Sequence, residues 1–252
     1  MTAERTPRSW QAWDRDWVAH PDVGDSLDAP TLGNHIDRLK LEFLGPDLPR
    51  AGRALEVGCG SARLLARMGR AAPLELVALD PAPNALGVVA RTAAIAGVRM
   101  QRVRGDALSL PFPDGSFDLV LSGGLLEHFA EPEPVLAEMV RILRPGGTFY
   151  ADVVPRKFSI YRVREYPRMV RTEWFMPGVH ESAHGPGRYA RALERLGCPA
   201  ARVRSAGVYP PRTGHALAGL AARLDGTPVA DLLGWYFMIA ARRGATGGGA
   251  AS

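Results

Sequence analysis

The segment ALEVGCGSA at 54–62 holds the residue types best suited to chemistry. An apolar run leads into two closely spaced glycines and then into an amphipathic run, the pattern of a strand, a tight turn and a helix N-terminus. Gly58 and Gly60 allow the turn and leave no Cβ to keep a ligand from the backbone N–H groups. Asp80 follows 22 residues after Gly58, at the end of the next apolar run. A carboxylate there can accept both hydroxyls of a ribose. Glu56, just before the loop and two residues ahead of Gly58, puts an acid beside the ligand.

Two adenosine-containing ligands fit this outline, a nicotinamide dinucleotide and S-adenosylmethionine. The dinucleotide pattern wants a third glycine where this chain has Arg63. An acidic Glu56 suits a ligand that carries an ammonium and a sulfonium, and suits a pyrophosphate poorly. A second group of interest is His180-Glu181-Ser182-Ala183-His184, which spells HExxH. That zinc-peptidase pattern needs a regular helix to bring the two histidines to one face. Pro177-Gly178 and Gly185-Pro186 leave barely one turn, and no third ligand follows at a recognised spacing, so no metal is expected. His180 and His184 are read instead as candidates for substrate contact or proton removal.

The elements that must position these groups alternate. Helical spacing of Leu32, Ile36, Leu39 and Phe43 predicts a helix over 31–45. Strands are expected at 54–57, 74–79, 98–103, 117–121, 148–154, 202–206 and 235–241. Helices are expected at 61–71, with Ser61 as N-cap, at 84–96 closed by Gly97, at 133–143 stopped by Pro145-Gly146-Gly147, and at 189–196. This order predicts an α/β fold with a doubly wound, mostly parallel seven-stranded sheet. Residues 155–187 break the pattern with four prolines and many arginines and aromatics, and are read as a lid or substrate insert. Residues 1–30 are read as an N-terminal lid or cap, 31–243 as the main domain and 244–252 as a disordered Gly/Ala tail.

Several motifs in chain order now carry a resemblance. They are LEVGCGSA, LVALDPAPNAL at 76–86, GDALSLPFPDGSFDLVLS at 105–122, LLEHF at 125–129 and RILRPGGTF at 141–149. The chain resembles the class I S-adenosylmethionine-dependent methyltransferases that modify small molecules, over about residues 36–154. The resemblance implies a Rossmann-like methyltransferase fold with S-adenosylmethionine as cofactor. It implies Glu56 near the methionine amino group, with Gly58, Cys59 and Gly60 facing the cofactor through backbone. It also implies Asp80 on the ribose, Pro81 beside the adenine, Asp106 on the adenine amino group with the Ala107 backbone adjacent, and Ser122 and Gly123 against the methionine part. His128 falls just past the fourth strand, where a general base for the acceptor would sit.

The acceptor is less legible. Trp13 and Trp17 fall on one face of an N-terminal helix, and Tyr161, Tyr166 and Trp174 lie in the insert among arginines. Together they suggest an acceptor with an aromatic or apolar body and a negative group. Two other readings share the fold: a sulfonium-driven cyclisation with the same cofactor, and methylation of RNA. The net charge of +5 points weakly to a polyanion, yet all but two of the 31 basic residues are arginines scattered along the chain. No Pro-Pro-aromatic motif follows the fourth strand, so nucleic acid is not the expected partner. The 252 residues, 46% of them hydrophobic, suffice for one large domain. Two cysteines cannot form a disulfide framework, and neither a leader nor a 20-residue apolar span is evident, so a reducing cytoplasm is expected.

Overall fold

A computed structural model describes residues 9–18, 26–160, 162, 179–209 and 214–245. Seven strands form one sheet in the order β3-β2-β1-β4-β5-β7-β6. They are β1 (Gly52–Val57), β2 (Leu74–Asp80), β3 (Met100–Arg104), β4 (Phe117–Gly123), β5 (Leu143–Val153), β6 (Arg202–Ala206) and β7 (Tyr236–Arg242). The first five pair in parallel, whereas β7 runs antiparallel to both of its neighbours.

The central strands are apolar on both faces, and alternate residues feed two cores. Val57, Leu79, Phe149 and Ile239 point into one, packed by α5 (Glu133–Ile142) and α6 (Pro186–Arg195). Ala54, Ala78, Tyr150 and Met238 point into the other, under α2 (Leu32–Leu44), α3 (Arg63–Ala71) and α4 (Pro83–Ala96). Helix α1 (Ser9–Trp17) packs against α4, and two short helices, α7 (His215–Ala221) and α8 (Pro228–Leu233), precede β7.

Three local expectations need correction. Ser61 does not cap α3: the helix starts at Arg63, and Ala62 precedes it in the left-handed region at φ 52° with no side-chain cap. The turn is tight enough that Ala62 N–H donates back to the Cys59 carbonyl at 2.7 Å, so the backbone closes it without the serine hydroxyl. Pro145-Gly146-Gly147 stops α5 as expected but lies inside β5, where pairing with β4 begins at Leu143, jumps and resumes at Thr148. The spacing also gave no sign of α7 and α8.

Among the described residues, no helix is long and apolar enough to cross a membrane. Most of the insert, including Tyr161, Tyr166 and Trp174, lies outside the described residues, as does the tail beyond 245.

Candidate active site

The carboxyl ends of β1, β2, β4 and β5 open onto a cavity of about 1310 Å³. Parallel strands put their loops together at this edge, which is why the predicted groups converge. Glu56, Gly58, Cys59, Gly60, Asp80 and Pro81 line it, and so do Asp106, Ala107, Gly123, His128, His180, Trp13 and Trp17.

The glycine turn takes the predicted form, with φ 64° at Gly58 and 49° at Gly60. A Cβ at Gly58 would lie 2.7 Å from Leu125 Cδ1, and one at Gly60 2.5 Å from the Trp17 ring, so each glycine is required by its neighbour as well as by its backbone. Asp80 holds the turn: Gly60 N–H donates to Oδ2 at 3.0 Å and Ala82 N–H to Oδ1 at 2.9 Å. Each oxygen keeps a further lone pair for hydroxyls in the cavity. Asp106 is exposed in its loop and accepts from Leu108 N–H at 3.0 Å through Oδ1, a turn bond that leaves Oδ2 for a ligand.

Glu56 is buried, and its Oε2 has no hydrogen-bond partner. Burial pushes its carboxyl up to about 8, against the pull of Lys40 and with the repulsion of Asp152 and Asp37. An orphaned carboxylate oxygen on a cavity wall fits an ammonium, as S-adenosylmethionine would bring. Lys40 lies between the acids, its Nζ 2.9 Å from Asp152 Oδ1. Burial opposes its charge, but Asp152, Asp37 and Glu56 outweigh burial and raise its pKa.

At the far end of β4, the turn Leu126–His128 presents His128 to the cavity. Its Nδ1 is 2.9 Å from the His180 carbonyl, and Trp13 lies against its ring at 5.3 Å between centroids. A carbonyl only accepts, so Nδ1 carries the proton and Nε2 of the neutral ring bears the lone pair. Burial lowers its pKa, although the His180 and Gly124 backbones and Glu181 favour the charged ring. His128 is therefore neutral at pH 7 and able to accept a proton.

Two sequence-predicted residues fall elsewhere. Ser122 is fully buried within β4 and does not line the cavity. The strand's alternation turns it away, while Gly123 and Gly124 follow at the rim. His184 is outside the cavity lining as well; its Nε2 is 2.9 Å from the Ala130 carbonyl, and Arg188 Nη1 is 2.8 Å from the same nitrogen. Residues 179–185 are irregular rather than helical, so the two histidines of the HExxH share no helical face. Among the described residues, no three His, Cys, Asp or Glu side chains converge as a metal site.

The sequence reading missed Lys40, Asp152 and Asp37, which join Glu56 at one end of the cavity; Trp10, on the same helix face as Trp13 and Trp17, has its ring facing Arg104. The rarity of lysine in this chain was the available signal for Lys40.

Comparison with known proteins agrees with this geometry. A family model described as a methyltransferase domain matches residues 55–151. The ubiquinone biosynthesis O-methyltransferase of Methylobacterium sp. (strain 4-46) is 31% identical over 178 residues, covering 68% of this chain and 69% of that protein. The chain belongs to the S-adenosylmethionine-dependent methyltransferases. S-adenosylmethionine is accordingly its cofactor.

Other methyltransferases match over less of their length. The demethylmenaquinone methyltransferase of Thermus thermophilus is 38% identical over 96 residues, which is 38% of this chain and 44% of that one. The chain thus spans less than half the length of that relative. A solved S-adenosylmethionine-dependent methyltransferase of Thermotoga maritima shares the fold with a TM-score of 0.61 at 19% identity, covering 93% of this chain and 99% of that one.

Proposed function

We propose that this protein methylates a small-molecule acceptor at an oxygen or nitrogen atom, with His128 as the general base. The observation that carries this reading is the placement of the His128 ring in the same cavity as Glu56 and Asp80, with Nε2 as its unprotonated nitrogen. When bound, S-adenosylmethionine supplies an electrophilic methyl group. Glu56, Asp80 and Asp106 bind its amino, ribose and adenine groups in this reading, and the glycine turn presents backbone N–H groups. His128 Nε2 removes the acceptor's proton, while Trp13, against the His128 ring, walls the acceptor from water. His180 contributes its carbonyl to the ring of His128, and its side chain faces the same cavity.

A small acceptor is favoured over RNA because several of the arginines are engaged within the fold. Arg141 binds Glu138 and Asp114, Arg188 binds Glu131 and Glu133, and Arg202 and Arg242 share Asp47. Within the insert, Lys157 donates to the Asp231 carbonyl and Arg162 pairs with Glu181. Two unpaired, buried thiols, Cys59 and Cys198, suit a reducing compartment.

Cofactor carrying a labelled methyl group, incubated with a panel of phenols and amines and analysed by mass spectrometry, tests the reading. Label transferred to a panel member, and lost with His128→Ala, is the expected result. Tight NADH binding without any response to S-adenosylmethionine would overturn it.

A further inference from the structure

A strap runs beside His128. Residues 179–184 pass in an irregular path between the turn at 126–130 and the start of the insert, and backbone bonds fasten them on both sides. Ser182 N–H donates to the Glu127 carbonyl at 2.7 Å, and Arg156 N–H donates to the Ser182 carbonyl at 2.8 Å. His184 meets the Ala130 carbonyl at the strap's far end. Glu127, whose chain the strap borders, turns its own Oε1 toward Val154 N–H at 3.3 Å. All these bonds place one atom, the His180 carbonyl, at 2.9 Å from His128 Nδ1.

Among the described residues, a side-chain pair secures this segment from the insert. Arg162 Nη1 lies 3.5 Å from Glu181 Oε2, with side chains only 10% and 7% exposed. Arg162 Nη1 also donates to the Pro155 carbonyl at 3.3 Å, so the guanidinium ties the strap to the exit of β5. Glu181 is the residue immediately after the carbonyl that receives the His128 proton. Buried charges of this kind must be met in place, because leaving one unmet is costly. Their geometry therefore dictates where the His180–Glu181 peptide sits.

We propose that the Arg162–Glu181 ion pair is a positioning device, which fixes the His180 carbonyl and so holds His128 in the tautomer with the proton on Nδ1. An imidazole without that partner is free to carry its proton on Nε2, where it can donate but not accept. The pair thus acts through the peptide backbone on the nitrogen that faces the acceptor. This inference rests on the role given above to His128, but its test does not need an acceptor.

Nitrogen-15 NMR of the histidine rings, recorded at about pH 8 with S-adenosylhomocysteine bound, reads the tautomer directly. The His128 signals are assigned by their loss in His128→Gln. Wild type is expected to show a single Nδ1–H form. Glu181→Gln and Arg162→Met are expected to show Nε2–H as a substantial or dominant form, with Arg162→Lys restoring much of the wild-type pattern. Each variant's thermal melt and its affinity for S-adenosylhomocysteine, expected within about twofold of wild type, show that the fold and cofactor site survive. An Nε2–H ring in wild type overturns the proposal even if every variant fails to fold. An unchanged Nδ1–H ring in folded Glu181→Gln and Arg162→Met overturns it as well. Failure of methyl transfer in the panel assay, with the Nδ1–H ring intact, would instead count against the role of His128.

Discussion

Asp80 both shapes the glycine turn, through Gly60 and Ala82, and faces the cavity. Asp80→Ala removes a charge-assisted acceptor from the ribose, costing on the order of 1.5–3 kcal/mol, and loosens the turn as well. Calorimetry with S-adenosylhomocysteine should show binding at least tenfold weaker; unchanged affinity would remove Asp80 from the ribose. Glu56 gives a pH signature. Its pKa in the folded chain, about 8, lies above its value in the unfolded chain, so the folded state holds an extra proton between the two. That contribution to stability is complete on the acid side and fades as pH rises toward 8. Glu56→Gln should therefore gain stability relative to wild type between about pH 5 and pH 9 in thermal melts. A ligand ammonium beside Oε2 favours the carboxylate. Binding of S-adenosylhomocysteine near neutral pH should expel a proton, seen as a dependence of the heat on buffer ionisation enthalpy and absent in Glu56→Gln. Residues inside the glycine motif were legible because their spacing along the chain is their spacing in space. Lys40 and Asp152 were not, since 112 positions separate two side chains that meet only when α2 crosses the end of β5.

Helix α1 shows the same divide between local and tertiary information. The spacing of Trp10, Trp13 and Trp17 predicts a shared face, but nothing in it says where that face docks. Asn84, at the start of α4, fastens it: its N–H donates to Asp14 Oδ1 at 2.8 Å, and its side-chain amide reaches the Asp14 carbonyl and Oδ2 at 3.1 Å. Trp17 then covers Gly60, and Trp10 lies over Arg104 at 5.7 Å. Both contacts fall at the cofactor end of the cavity. Deleting residues 1–18 should consequently weaken S-adenosylhomocysteine binding by at least tenfold, and Asn84→Ala should weaken it by a smaller factor, both measured by calorimetry. Undiminished affinity after the deletion would restrict α1 to the acceptor. The irregular path of 179–185 carries its own expectation: without a helix to present His180 and His184, elemental analysis should find no stoichiometric zinc.

The seven strands could be counted and ordered along the chain, and the five parallel ones follow from strand–helix alternation. The antiparallel entry of β7 between β5 and β6 could not be read, because an apolar strand buried on both faces looks alike in either direction. Nor did α7 and α8 stand out, being only seven and six residues long. The placement of β7 makes the sheet depend on it. Removing residues 235–252 would separate β6 from the sheet and expose the β5 edge, together with the Phe237 and Ile239 contacts in one core and Met238 in the other. The truncated chain should lose its cooperative thermal transition and aggregate; a sharp melt near the wild-type temperature would show that β7 is dispensable.

The position of β7 also orders events in time. On a ribosome β6 emerges first, yet its place in the sheet exists only after β7 has been made and has paired with β5. Until then the β5 edge, with Tyr150 and Phe149 beside it, waits unpaired, and the nascent chain holds a nearly finished cofactor cavity on an unfinished sheet. Synonymous codon changes that slow translation between β6 and β7 would lengthen that exposure and lower the yield of folded protein without altering a single residue.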